Sequence, residues 1–190
     1  MASDLITPYT PTSSVDDRIA RMGDAIYEVV NGEVLEKDVS AYAVWIATRL
    51  YDLLKQPVAR QQLGLLFLEM GFVLDPARGL RRRPDLAFLS ANRWPIDRVP
   101  PMEGDWPAVP DLAVEVISPS NGFEEMVAKA DEYLENGVRE VWLIAPRTPY
   151  IYLHRGPSSV LVLTADERLE SPLFSGWSAL VSDVIPPAAT

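Results

Sequence analysis

The sequence predicts an α/β domain in which helices flank a mixed β-sheet. Three observations lead there. Two amphipathic helical stretches, 39–54 and 124–135, alternate with short apolar runs of strand length. In the middle of the chain these fall in the order helix, strand, strand, strand, helix, strand, which a sheet with helices layered on it accommodates. Hairpin patterns lie toward both ends, around Asn31-Gly32 and over 150–164. With 190 residues and 48% apolar composition the chain can bury one sizeable core. One domain over 13–185 is therefore expected, between a Pro- and Thr-rich arm (1–12) and a frayed tail (186–190).

Taken in order, Ser14 with Asp17 resembles a capping box, so a short helix is expected to about Met22. The runs 26–30 and 33–35 flank Asn31-Gly32, the pair that best tolerates the two positive φ angles of a type I′ turn. From 39 to 54, Val39, Ala43, Ile46, Leu50, Leu53 and Leu54 recur at helical spacing. Pro57 is expected to stop that helix, having no N–H to donate. Residues 65–74 read as one strand, ended by the turn pair Asp75-Pro76, and two further strands open at Asp85 and Asp111. Pro95, Pro100, Pro101, Pro107 and Pro110 make the connection between those two a loop. Ser118-Pro119-Ser120-Asn121 offers caps for the second long helix, with Met126, Val127, Ala130, Tyr133 and Leu134 as its buried stripe and Gly137 as its left-handed stop. Residues 138–145 complete the set as a strand.

Composition narrows the chemistry. Zero cysteines exclude a disulfide framework, a zinc-thiolate cluster and a thiol nucleophile, and suit a reducing cytoplasm. The lone His154 argues against a Ser-His-Asp triad. No run approaches the ~18 apolar residues that span a bilayer, and the first residues lack the basic region and apolar core of a secretion signal. A formal charge of −10 disfavours non-specific wrapping of nucleic acid, because that binding draws on basic surface. Locally, Arg78, Arg81, Arg82, Arg83, Arg93 and Arg98 gather around the first acidic strand. They fit either a small, metal-mediated phosphate site or ordinary solvated loops.

The acids inside the strands carry the most information. Side chains alternate along a strand, so Asp111, Ala113, Glu115 and Ile117 share one face and Leu112, Val114 and Val116 the other. Glu115 lies deep in an apolar run, and a buried carboxylate requires a cation, a proton or several donors. A divalent metal or an arginine would each serve. Asp111, beside Pro110 at the strand start, reads more readily as a cap or turn residue. Asp85 follows Pro84 at a strand mouth and gains weight from Glu115 on what is expected to be the adjacent strand. Mg²⁺ or Mn²⁺ prefers oxygen ligands and retains waters, so two carboxylates and a backbone carbonyl would suffice. Lys129 follows Glu125 by four residues, an ordinary helical ion-pair spacing. It also stands three from Met126 and four from Tyr133, on or beside the buried stripe.

The segments Arg83-Pro84-Asp85-Leu86-Ala87-Phe88 and Pro110-Asp111-Leu112-Ala113-Val114-Glu115-Val116-Ile117-Ser118-Pro119, then Lys129, Tyr133-Leu134 and Gly137-Val138-Arg139-Glu140-Val141-Trp142, resemble the Uma2-like (DUF820) family of endonucleases. That family is placed in the PD-(D/E)XK restriction-endonuclease-like superfamily. The similarity runs from about 27 to 184, with Asn31-Gly32-Glu33 resembling the opening hairpin and 173–177 a late proline-glycine segment. The resemblance implies a restriction-endonuclease-like core, a central mixed β-sheet flanked by helices, with an N-terminal β-hairpin and a C-terminal β-hairpin. It implies a metal-dependent endonuclease that hydrolyses DNA phosphodiester bonds with a metal-activated water. In that scheme Asp85 and Glu115 hold Mg²⁺ or Mn²⁺, with the Val116 carbonyl as a further candidate ligand, and Lys129 orients the nucleophile or offsets developing charge. Glu33 and Glu69 are candidate outer ligands, with Asp111 a further acid nearby. DNA is the implied partner and a homodimer the implied assembly. Two positions depart from the pattern. The usual lysine two residues after the second acid is Ile117 here, its place taken by Lys129, and Ala43 stands where many relatives carry a histidine. The Ile117 departure and the net acidity leave open a catalytically silent nuclease-like fold that binds protein or nucleic acid. A hydrolase or binder of small phosphorylated molecules is a third reading.

Overall fold

A computed structural model of the chain describes residues 13–23, 25–118, 122–156 and 158–187. The elements along it are α1 (Ser13–Met22), β1 (Tyr27–Val30), β2 (Glu33–Glu36), α2 (Ala41–Arg60), β3 (Gly64–Leu68), β4 (Phe72–Asp75), β5 (Leu80–Arg82), β6 (Leu86–Ser90), β7 (Leu112–Val116), α3 (Phe123–Glu135), β8 (Glu140–Ala145), β9 (Tyr150–His154), β10 (Val160–Leu163), β11 (Arg168–Glu170), β12 (Ser178–Leu180) and α4 (Val181–Val184). A six-stranded sheet runs in the order β10-β9-β8-β7-β6-β3, and a four-stranded sheet in the order β2-β1-β5-β4. In the larger sheet only β7 and β8 pair in parallel, and α3 is the crossover between them. The mixed sheet flanked by helices is the expected fold.

Alternation along the strands divides the core in two. Leu86, Phe88, Leu112, Val114, Val116, Trp142 and Ile144 pack on the face covered by α2, through Ile46, Leu50 and Leu54. Ala87, Leu89, Ala113, Val141 and Leu143 pack on the opposite face, under Met126, Ala130 and Tyr133 of α3. The C-terminal segment closes the α2 side: β11 and β12 form a small hairpin, and Leu169, Phe174, Val181 and Val184 join that core.

Most elements fall where the sequence places them. Asn31 and Gly32 both have positive φ, 50° and 77°, as the I′ turn of the first hairpin requires. Gly137 ends α3 at φ 91°. The predicted caps at 119–121 and the 1–12 arm lie outside the described residues, as do the side chain of Ser14 and residues 188–190 of the tail; Gly122 occupies the N-cap of α3.

Two expectations are corrected. Pro57 does not stop the first long helix, which continues to Arg60. Proline cannot donate to the carbonyl four residues back, and the Trp177 indole N–H donates to that carbonyl, on Leu53, at 3.1 Å instead. With the orphaned acceptor satisfied, one more turn forms and buries Val58. The run 65–74 is not one strand. It breaks at Glu69 (φ 50°) and feeds two sheets, β3 pairing with β6 and β4 with β5. Immediately beyond, Gly71 lies so close to Asp105 that a Cβ there would sit 1.8 Å from its Oδ1.

Candidate active site

Parity sets the positions of the two principal acids. Ala87 pairs with Ala113 across the β6–β7 ladder, which ends at Leu86 with Val114. One step further along antiparallel strands, Asp85 lies opposite Glu115, both on the face covered by α3. Asp85 Oδ2 accepts the Val116 N–H at 2.6 Å. A strand residue points its N–H and C=O to the same edge, so the Val116 carbonyl also faces the Asp85 side. Glu115 Oε1 accepts the Tyr133 hydroxyl at 2.7 Å and the Lys129 ammonium at 2.9 Å. Lys129 therefore points inward; it pairs with Glu115 and Glu28 and not with Glu125. Asp85, Glu115, Val116, Glu28 and Lys129 line a cleft of about 210 Å³ between α3, the first hairpin and the ends of β6 and β7.

Three residues that the sequence does not single out as site residues complete it. Glu28, on β1, accepts from Lys129 at 2.9 Å, Arg82 Nη1 at 2.8 Å and the Arg83 amide at 3.0 Å, joining the small sheet to α3. A carboxylate between Tyr27 and Val29 in a strand could have been found by the reasoning applied to Glu115. Arg82 also pairs with Glu132. Lys37 ends against Asp85 Oδ1 at 2.6 Å and Glu69 Oε2 at 3.0 Å. In the run Glu33-Val34-Leu35-Glu36-Lys37 nothing distinguishes it from a solvated hairpin lysine.

The minor candidates separate. Glu69 joins the cluster through Lys37. Glu33 is exposed on β2 and forms no part of the cleft wall. Asp111 stands four residues along β7 from Glu115, roughly 13 Å away at strand rise. There it accepts from the Ser90 amide at 2.8 Å and pairs with Arg93 at 3.2 Å, a structural role at the far end of the strand. The arginine neighbourhood is mostly spent internally: Arg81 pairs with Asp16, Arg83 with Asp105 and Arg93 with Asp111, while Arg98 lies over the Trp94 ring. Of the six, only Arg82 lines the cleft.

Electrostatically, the cluster is short of positive charge. Glu28, Glu69, Asp85, Glu115 and Glu132 are set against Lys37, Lys129 and Arg82. Burial pushes the Asp85 carboxyl up, and Lys37 and the Val116 amide do not fully offset it. Burial also raises Glu115 and outweighs Lys129 and Lys37, with Asp85 and Glu28 adding smaller repulsions. Glu28 is the exception. Burial alone would raise it, but Lys129, Arg82 and the Arg83 amide hold it down at about 2. Burial disfavours the Lys129 ammonium, yet Glu115 and Glu28 keep its pKa above the ordinary lysine range. Glu69 Oε1 is buried with no hydrogen-bond partner. Hard oxygen donors, an unsatisfied carboxylate oxygen and a deficit of cations fit Mg²⁺ or Mn²⁺ in chemistry. The ligands would be two carboxylates completed by water or substrate, since among the described residues no three acidic or histidine side chains converge as an ion cage.

The profile of one protein family, Uma2, described as "Putative restriction endonuclease", matches residues 17–183. The chain belongs to the Uma2 family. A crystal structure of "a putative nuclease belonging to DUF820 from Anabaena variabilis" superposes on it with a TM-score of 0.70 at 19% identity, covering 84% of this chain and 89% of that one. The Uma2 chain thus shares its restriction-endonuclease-like fold with that protein. No curated protein matches the chain. Among the described residues, no helix is long and apolar enough to cross a membrane.

Proposed function

We propose that this Uma2 chain is a Mg²⁺- or Mn²⁺-dependent endonuclease that hydrolyses DNA phosphodiester bonds at the Asp85–Glu115–Lys129 cleft. The observation that carries the reading is the pairing of two buried carboxylates on adjacent strands, on one face, with a lysine whose side chain is only 12% exposed 2.9 Å from the second. A fold needing only stability would place apolar side chains there, because buried carboxylates cost more than they return unless paired. Asp85 and Glu115 would hold the ion, with the Val116 carbonyl on the same side. When bound, the ion supplies Lewis acidity at the phosphate and a more acidic water.

The chain's own residues then divide the remaining work. Lys129, held between Glu28 and Glu115, keeps an ammonium at the cleft wall where a phosphate oxygen gains negative charge. Tyr133 fixes one oxygen of Glu115 from below and so orients the other toward the cleft. Val116 does the same for Asp85 through its amide. The substrate is negatively charged and so is the chain, which makes a bound cation a condition of phosphate entry.

The test is nicking of supercoiled plasmid by the full chain with Mg²⁺ or Mn²⁺. Activity should vanish in chelator and fall by about 10³-fold or more in Asp85→Asn and Glu115→Gln, with both variants folded. Cleavage that survives both substitutions would reject the site. The second reading, a silent nuclease-like binding module, draws on the lysines that already neutralise Asp85 and Glu115. Absence of Mn²⁺ binding at millimolar concentration, with capture of a defined protein partner, would favour it.

A further inference from the structure

Lys37 enters the cleft from the end of the first hairpin, its amide held by the Ile26 carbonyl at 2.8 Å. Its ammonium carries three hydrogens and meets three oxygens: Asp85 Oδ1 at 2.6 Å, the Arg83 carbonyl at 2.8 Å and Glu69 Oε2 at 3.0 Å. Two carboxylates and a peptide carbonyl are also what a hard divalent cation selects. Glu115 lies close enough to act on the same amine. Burial works against its charge, yet Glu115, Asp85 and Glu69 together hold its pKa above the ordinary lysine range.

The cradle is built against local preference. Glu69 sits at φ 50°, a left-handed conformation that residues with a Cβ avoid. It is pinned there by the Arg83 guanidinium on its carbonyl at 2.6 Å and by its amide on the Asp85 carbonyl at 3.3 Å. Its Oε2 meets Lys37 while its Oε1 has no partner. A strained residue with one carboxylate oxygen buried and unsatisfied is placed to hold a cation rather than to fill space.

We propose that Lys37 is a resident cation in the seat a divalent ion needs, and that it sets the ion affinity of the site. The ion takes Asp85 only as the ammonium releases it. This rests on the nuclease reading above, in which Asp85 and Glu115 hold the ion. The amine keeps the two carboxylates together at low ion concentration, at the cost of a higher ion requirement. Lys37 is thus a positioning residue.

Calorimetric titration of Mn²⁺ into the full chain tests it, comparing wild type with Lys37→Met, Lys37→Arg and Asp85→Asn. Lys37→Met should bind Mn²⁺ about tenfold more tightly or better, because a unit charge at the seat is gone. Lys37→Arg, which keeps the charge, should show no tightening. Unchanged or weaker affinity in folded Lys37→Met overturns the proposal. If Asp85→Asn abolishes binding while Lys37→Met leaves it unaltered, the proposal alone fails. If wild type binds no Mn²⁺, or binds it as Asp85→Asn does, the ion site itself fails and takes the proposal with it. Wild-type protein supplies a check that needs no variant. Acylation of Lys37 by an amine-specific reagent, read by mass spectrometry, should be faster in saturating Mn²⁺ than without it; an equal rate overturns the proposal.

Discussion

Glu28→Gln isolates the carboxylate that joins the small sheet to α3. The substitution keeps the shape, and the Arg83 amide keeps an oxygen to bond, but Lys129 and Arg82 each lose a charged partner. The magnitude follows from the acid itself. Burial would raise its pKa, yet Lys129, Arg82 and the Arg83 amide lower it from 4.5 to about 2, which corresponds to about 3 kcal/mol favouring the folded, ionised state at neutral pH. For a chain of this size that is roughly 6–12 °C in Tm. Because the folded value is depressed, the contribution is complete above pH ~4.5 and is lost as pH falls toward 2. Urea unfolding of wild type and Glu28→Gln at pH 7, repeated down to pH ~3, reads both features. Equal stability at pH 7, or a gap that does not shrink on acidification, would refute the view that Glu28 is an ionised staple between Lys129 and Arg82.

Asp85→Asn and Glu115→Gln should behave oppositely. Burial raises both carboxyls in the fold, so what they add to stability is complete at low pH and is lost as pH rises past those raised values. At pH 7 neither amide should melt below wild type; a fall of more than about 4 °C in either, ~1 kcal/mol or more, would show that the ionised acids stabilise the fold. Trp177→Phe keeps a ring stacked on Trp142 but leaves the Leu53 carbonyl without a donor beside Pro57, and should cost about 1–3 kcal/mol in urea unfolding. Gly71→Ala forces a Cβ to within 1.8 Å of Asp105 Oδ1 and 2.8 Å of Arg83 Nη2, and a loss of about 1–3 kcal/mol by the same assay is expected.

What could be read from the sequence was what period and parity govern. The alternation that puts Glu115 on the face opposite Val114 and Val116 is local, and so is the 3.6-residue repeat that turns Lys129 toward Met126 and Tyr133; both hold in the structure. What could not be read depends on partners distant in the chain. Pro57 stays within a helix because Trp177 reaches Leu53, a contact across 124 positions. The arginine-rich stretch looks basic in sequence because Asp16, Asp105 and Asp111, which neutralise three of its members, are remote in sequence from them. Glu69 and Lys37 are 32 residues apart and become a pair only because the run 65–74 turns at Glu69 rather than continuing as a strand.

On the nuclease reading proposed above, the charge distribution gives the reason a chain of net charge −10 would need an added cation to act on a phosphodiester. Arginines that could have met phosphate are committed to internal acids, and the cleft itself holds more carboxylates than ammonium and guanidinium groups. Burial raises the pKa of Asp85 and Glu115, and the nearby lysines do not fully offset it. A protein that only needed these strands to pair would relieve it with two apolar side chains and gain stability. Keeping the acids buried, opposed and under-neutralised conserves a demand for positive charge at one point in the molecule. In the proposed site a divalent ion would meet that demand with two charges where Lys37 supplies one, and the surplus would make room for a phosphate.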